Sequence, residues 1–124
     1  MNSAHKRILT TDTAGFAIRT KIWIEDGEGR VVFGAGRYRI LEAVDRLQSL
    51  QAAAKELKMS YRAVWCRVKA SEERLGKSLV IREGRGSRLT PFALELMAEY
   101  EGIQVRVRSE TDAVFANLMA RSLE

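Results

Sequence analysis

Tyr61, Arg62, Cys66 and Lys69 share one face of a segment whose opposite face is apolar. Their chemistry is that of donors and a ring offered outward. Arg62 presents two parallel N–H groups, a match for the O6 and N7 acceptors of guanine in a major groove. Tyr61 suits either a phosphate or a thymine methyl group. Ser60 precedes these residues and Trp65 stands among them. Trp65 has two readings, packing at the edge of the fold with partial exposure, or touching backbone sugar. Lys55, Lys58, Lys69, Lys77 and Arg82 surround the face as donors for phosphates, with Arg85 and Arg88 farther on. Bond-making chemistry finds no matching set. The single histidine, His5, has no cysteine, histidine or carboxylate at ligand spacing. No H-E-x-x-H, P-loop, nucleophile elbow or histidine-bearing triad occurs. The expectation is therefore a non-enzyme with no catalytic residue, metal or cofactor.

A face of this kind needs a helix to carry it and a core to hold that helix. Ser49 to Gly76 supplies both. Gln51 to Leu57 is Ala-rich and composed of strong helix formers. Lys58-Met59-Ser60 forms a turn, with Ser60 placed to cap the next helix through its hydroxyl. Tyr61 to Leu75 then puts Val64 and Val68 on one face at helical spacing, with Leu75 two turns on. A helix with an apolar face and a basic, aromatic face fits a recognition helix docked on a core.

Upstream, residues 1–17 read as a loose arm, in which Lys6 and Arg7 are the basic positions. Period-2 alternation begins at Ile18, with Ile22 and Ile24 on the same side. Asp26-Gly27-Glu28-Gly29 is a turn and Val31-Val32-Phe33 a second strand, a β-hairpin over about residues 18–34. Trp23 is expected to pack across that hairpin or at an interface. Gly34-Ala35-Gly36 breaks the strand, and its lone G-x-G lacks the context of a nucleotide site. A helix follows over Arg37 to Ser49 with Ile40, Leu41, Val44 and Leu47 as its stripe. Its Arg37, Arg39, Glu42, Asp45 and Arg46 read as solvated or at an interface.

Downstream, Leu79 to Glu83 reads as a strand, Gly84-Arg85-Gly86-Ser87 as a turn and Arg88-Leu89-Thr90 as the returning strand. Placed directly after the recognition helix, this ribbon reads as a wing rather than an ordinary surface hairpin. Its glycines would let backbone approach a phosphate or groove wall, and Arg85 would suit a narrow minor groove. Thr90 caps the last helix with Pro91 at its first position, and Leu89 pairs with Leu94 as a staple. That helix runs to about Met119. Leu96, Tyr100, Ile103, Val107, Val114 and Leu118 form a stripe too long for one small domain to cover. Dimerisation is the favoured reading. The alternatives are a helix folded back on its own core, or two helices broken near Gly102 or Ser109.

Composition bounds the rest. The chain has 124 residues, 46% hydrophobic and 30% charged, enough for one domain with a core. No apolar run approaches a membrane span and no signal peptide opens the chain, so a cytoplasmic location is expected. Cys66 is the only cysteine, which leaves no internal disulfide. The net charge of +5 is concentrated: residues 55–90 hold 10 basic and 4 acidic side chains, while residues 91–124 hold 3 and 6. The positive block covers the recognition helix and the wing, the footprint of a phosphate backbone.

These residues support a resemblance. Ser60, Ala63-Val64, Val68-Lys69, Glu72-Glu73, Leu75-Gly76, Leu79, Arg82 and Leu89-Thr90 follow the pattern of the winged helix-turn-helix of LysR-type regulators. Within that group, Ser60-Tyr61-Arg62-Ala63-Val64-Trp65 resembles the DNA-binding domain of the molybdate-responsive ModE regulators. Two positions depart: Ser71 stands where LysR-type proteins usually carry an apolar residue, and Ala93 where they usually carry glycine. The resemblance implies a mostly α fold with small β elements: a winged helix-turn-helix with an N-terminal β-hairpin and a long C-terminal dimerisation helix. The expected organisation is an arm at 1–17, the winged domain at 18–90 and the dimerisation helix at 91–124. The expected partners are double-stranded DNA and a second copy of the chain. The chain reaches only Glu124, so no molybdate-binding domain and no small-molecule effector are expected within it. The expected DNA-binding residues are Lys58, Ser60, Tyr61, Arg62, Trp65, Cys66, Lys69, Arg82, Arg85 and Arg88. The alternative function is a winged-helix protein-interaction module that does not read DNA sequence.

Overall fold

The computed structural model describes residues 14–122. His5, Lys6 and Arg7, with the readings attached to them, lie outside the described residues. The elements run β1 (Ile24–Glu25), β2 (Val31–Phe33), α1 (Ala35–Leu47), α2 (Leu50–Glu56), α3 (Tyr61–Leu75), β3 (Val80–Glu83), β4 (Gly86–Leu89) and α4 (Pro91–Ser122). Two antiparallel pairs, β1 with β2 and β3 with β4, are the sheets. Ile22–Gly102 form one compact unit, and the remaining described residues a second.

Local chemistry sets the helix ends in the first unit. Gln48 closes α1 in the left-handed conformation, φ 57°, and returns its N–H to the Val44 carbonyl at 2.7 Å. That reversal lets Ser49 cap α2, its hydroxyl accepting from the Ala52 N–H at 3.0 Å. The chain turns again through Lys58, φ 58°, and Ser60 caps α3 by accepting from the Ala63 N–H at 3.0 Å. The helix-turn-helix is thus punctuated by two serine caps and two left-handed residues.

The core gathers Ile40, Leu41 and Val44 of α1, Ala53 and Ala54 of α2, and Val64 and Val68 of α3. Val32, Phe33, Ala43, Leu79, Leu89, Ala93, Met97 and Tyr100 complete it. Tyr100 meets Phe33 edge-on at 5.2 Å and donates its hydroxyl to the Ile22 carbonyl at 2.8 Å. The Tyr38 ring lies tilted beside Tyr100, centroids 5.8 Å apart, and its hydroxyl hydrogen-bonds Glu101; burial first, then that carboxylate, pushes the hydroxyl pKa up to about 12.

Several expectations need correction. The first hairpin is shorter than 18–34: residues 18–23 form no strand, and Ile22 packs against the core while Ile24 is exposed, so the two do not share a side. Asp26 does organise its turn, accepting from the Glu28 and Arg30 N–H groups at 2.9 and 3.0 Å. Helix α1 begins at Ala35, because Gly34 and not Gly36 is the last extended residue, and ends at Leu47. Trp23 is half-exposed: its Cβ lies against Gly34 across the hairpin, as expected, while its ring N–H donates to Glu25 at 2.7 Å. The Leu89–Leu94 staple is absent: Leu89 is buried, but Leu94 points to solvent. Helix α4 is unbroken past Gly102 and Ser109, as expected, and runs to Ser122 rather than about Met119.

Ser71 explains its departure from the family pattern. Ile24 faces Phe33 and Glu25 faces Val31, so Val32 is the extra residue of a β-bulge and lacks a strand partner. The fully buried Ser71 hydroxyl donates to the Val32 carbonyl at 2.5 Å and accepts from Arg37 Nε at 3.2 Å. Arg74 donates to the Val31 carbonyl at 2.5 Å. Helix α3 is therefore bolted to the bulged strand by polar bonds where an apolar side chain would leave a carbonyl unpaired. Replacing Ser71 by Ala should cost about 1–3 kcal/mol, the penalty of an unsatisfied buried group. Urea unfolding measures it, and an unchanged midpoint would contradict this role.

Candidate nucleic-acid interface

Helix α3 divides into four stripes. Val64, Val68, Ser71 and half-buried Leu75 face inward. Tyr61, Trp65 and Lys69 lie on the side toward the wing, Arg62 and Cys66 point directly outward, and Arg67 and Arg74 occupy the side toward α1 and β2. Tyr61 is 46% and Trp65 43% exposed. Both line a crevice closed by Leu50, Val68, Val80 and Ile81. Trp65 therefore packs on one side and stays open on the other, and the Lys69 ammonium sits 5.7 Å from its ring centroid. The free thiol of Cys66 is exposed.

The wing is held by a residue to which sequence reasoning gave no role. Glu72, on α3, accepts from the backbone N–H groups of Leu79 and Val80 at 2.7 and 3.1 Å. It also pairs with Lys69 at 3.1 Å. Burial would raise its pKa, but the two N–H donors and the ammonium outweigh that and hold it below the ordinary carboxylate value. The other strand docks on α1: the Ser87 N–H donates to the Gln48 carbonyl at 3.0 Å. A Cβ at Gly86 would lie 2.5 Å from that same oxygen. The wing glycines were expected to admit a phosphate. Gly86 instead admits Gln48, and Gly84, φ 60°, makes the tight turn. The turn proper is Gly84-Arg85 alone, with Gly86 and Ser87 already in β4.

Between wing and helix-turn-helix lies an open cleft of about 390 Å³ lined by Ser49, Gln51, Tyr61, Arg82, Arg85 and Ser87, among others. Arg82 and Arg85 thus share one surface with Tyr61. Lys55, Lys58 and Arg62 are exposed as well. Arg88 is half-buried and engaged with Glu83 at 3.0 Å across the ribbon. Lys77 lies over the Phe92 ring at 5.7 Å. The Arg88–Glu83 pair is exposed and worth at most about 1 kcal/mol, so Arg88 remains available to a stronger anion. Among the described residues no cluster of histidine, cysteine or carboxylate side chains could hold a metal. Nor is any helix there long and apolar enough to cross a membrane.

Comparison with known proteins adds relatives to this geometry. Residues 36–94 match the family described as bacterial regulatory helix-turn-helix protein, lysR family. A molybdenum transport protein ModE from Azotobacter vinelandii is 30% identical over 87 residues, 66% of this chain and 32% of its own length. A molybdenum-pterin-binding protein MopB from Rhodobacter capsulatus is 37% identical over 79 residues, 60% of this chain and 29% of its own. The chain spans about a third of the length of these curated relatives. A solved complex of the CbnR DNA-binding domain with DNA has a TM-score of 0.54 and 25% identity, covering 67% of this chain and 95% of that one. The BenM DNA-binding domain on its benA site has a TM-score of 0.53 at 22% identity, a likeness of fold, over 66% of this chain and 92% of that one.

Glu72 makes the helix–wing junction acid-sensitive with a definite sign. Its folded pKa lies below the ordinary 4.5, so its stabilisation is complete above that value and is lost as pH falls through the folded value. Thermal melts of the wild type should weaken over that acid range more steeply than those of Glu72→Gln, which should be less stable at neutral pH. Parallel pH profiles for the two proteins would contradict the assignment.

Proposed function

We propose, on the footing that residues 36–94 are a LysR-type winged helix-turn-helix domain related to ModE regulators, that this chain is a dimeric, sequence-specific DNA-binding transcriptional regulator. Helix α3 enters the major groove and the wing follows the adjoining backbone. The observation that carries this reading is the joined surface of α3 and wing: an outward Arg62 and Cys66, flanked by Tyr61 and Trp65, on a helix tied by Glu72 to the ribbon that carries Arg82 and Arg85. The likeness to a DNA-binding domain solved on DNA supports it.

The division of labour follows from placement. Arg62, most outward on α3, takes base edges, where a bidentate bond to guanine discriminates by about 1–3 kcal/mol. Ser60, Tyr61, Trp65, Cys66 and Lys69 contact neighbouring base methyls, sugars and phosphates. Lys58, Arg82, Arg85 and Arg88 take phosphates or the groove wall without reading sequence. Exposed Ile103, Val114 and Leu118, on one side of α4, give it an apolar surface for a second copy. A twofold dimer would then read an inverted repeat with half-sites one helical turn, or a multiple, apart.

Binding to labelled genomic fragments across a salt series tests the reading. A subset of fragments should be retained at physiological salt; weak binding to all fragments alike would sink the specific-regulator reading in favour of a protein-interaction module. Arg62→Ala should relax preference at one base position, whereas Arg85→Ala should weaken all duplexes about equally. Sedimentation of the full chain should report a dimer that Leu118→Glu dissociates, and a monomeric wild type would remove α4 from the scheme.

A further inference from the structure

On the flank of α3 turned away from the wing, three guanidinium groups converge. Arg67 and Arg74 stand two turns apart on one stripe of α3, and Arg37 reaches the same stripe from the first turn of α1. Arg37 spends one N–H on Ser71, and Arg74 one on the Val31 carbonyl. Each guanidinium carries five N–H groups, so most of their donors are uncommitted. Arg67 is exposed, and among the described residues no carboxylate pairs with any of the three. Elsewhere the same unit does supply partners: Arg30, Arg46, Lys69 and Arg88 all have carboxylates. Burial first, then the neighbouring Arg67 and Arg74 charges, holds the Arg37 pKa below its ordinary value, so the trio is mutually repulsive as it stands.

Three neighbouring like charges with no carboxylate among them favour an anion. We infer that Arg37, Arg67 and Arg74 form a second phosphate clamp, gripping the DNA strand on the groove wall opposite the wing. A helix in a major groove about 12 Å wide lies between two phosphate-lined walls. The wing serves one wall through Arg82 and Arg85; this trio serves the other. The polar bolt at Ser71 acquires a function in this arrangement, since it places Arg37 and holds α3 against the strand that anchors Arg74. The clamp rests on the DNA-binding reading above and extends it to a flank outside the recognition face.

The test uses the full chain and a duplex recovered from genomic fragments that it retains. Arg67→Gln removes one charge from an exposed side chain with no bond to the fold; Arg82→Gln is its counterpart on the wing side. Each should lower the slope of log affinity against log salt by about 0.9, the value of one released phosphate contact. Phosphate-ethylation interference should show two clusters on opposite groove walls, and Arg67→Gln should erase only the cluster away from the wing. A slope changed by Arg82→Gln but not by Arg67→Gln would overturn the clamp and leave the DNA-binding reading standing. A wild type that binds no duplex would overturn both. If inorganic phosphate saturates the wild type but not Arg67→Gln, while the two salt slopes agree, the trio holds a free oxyanion and the clamp is again overturned.

Discussion

One carboxylate sets the geometry on which the rest of the interface depends. A recognition helix and a wing can grip a duplex together only if the angle between them is fixed. Here that angle rests on Glu72, which leaves α3 and takes the N–H groups of the first residues of the wing. The connection is short, charged and partly buried, and Lys69 shares the same carboxylate. A charge-assisted pair of this kind is roughly twice as strong as a neutral one. The second strand is fixed independently, by Ser87 on the carbonyl of Gln48, itself the left-handed residue that ends α1. The ribbon is thus tied at its start to α3 and near its tip to α1.

Helix α3 needs such ties because its own apolar stripe is thin. Only Val64 and Val68 are fully buried apolar residues on it, with Leu75 half-buried. Two valines give α3 less burial than the Ile40, Leu41 and Val44 set gives α1. Directional bonds supply what packing does not. Ser71 satisfies the bulged Val32, Arg74 satisfies Val31, and Glu72 satisfies the wing. Each restricts rotation of the helix about its own axis, which nonpolar contacts alone would leave softer. The stripe that faces outward is thereby determined, and with it the placement of Arg62.

Features governed by neighbours in sequence were legible, and those governed by distant partners were not. The Ser60 cap and the α3 boundaries follow from residues three or four apart, and they stand where the spacing put them. The first helix of the motif lies one residue earlier than expected, since Ser49 caps it. By contrast, the alternation over residues 18–23 suggested strand where there is none, because pairing begins only at Ile24 opposite Phe33. The wing glycines showed in sequence as freedom, but Gly86 answers to a carbonyl nearly forty residues upstream. Arg37 looked solvated, yet its partner is Ser71. Glu72 stood in a recognisable pattern with no visible task, because its task is two backbone amides across a turn. Within the candidate interface, side-chain identity was readable; which charges were already engaged, as at Lys69 and Arg88, was not.

The central claim is that the outward stripe of α3 reads base edges in the major groove. Dimethyl sulfate footprinting addresses it with one reagent, since it methylates guanine N7 in the major groove and adenine N3 in the minor groove. On a duplex selected by the protein, the account predicts protection of guanine N7 in two half-sites about one helical turn apart. Protection confined to adenine N3, or no protection at guanine N7 under saturating protein, would contradict it.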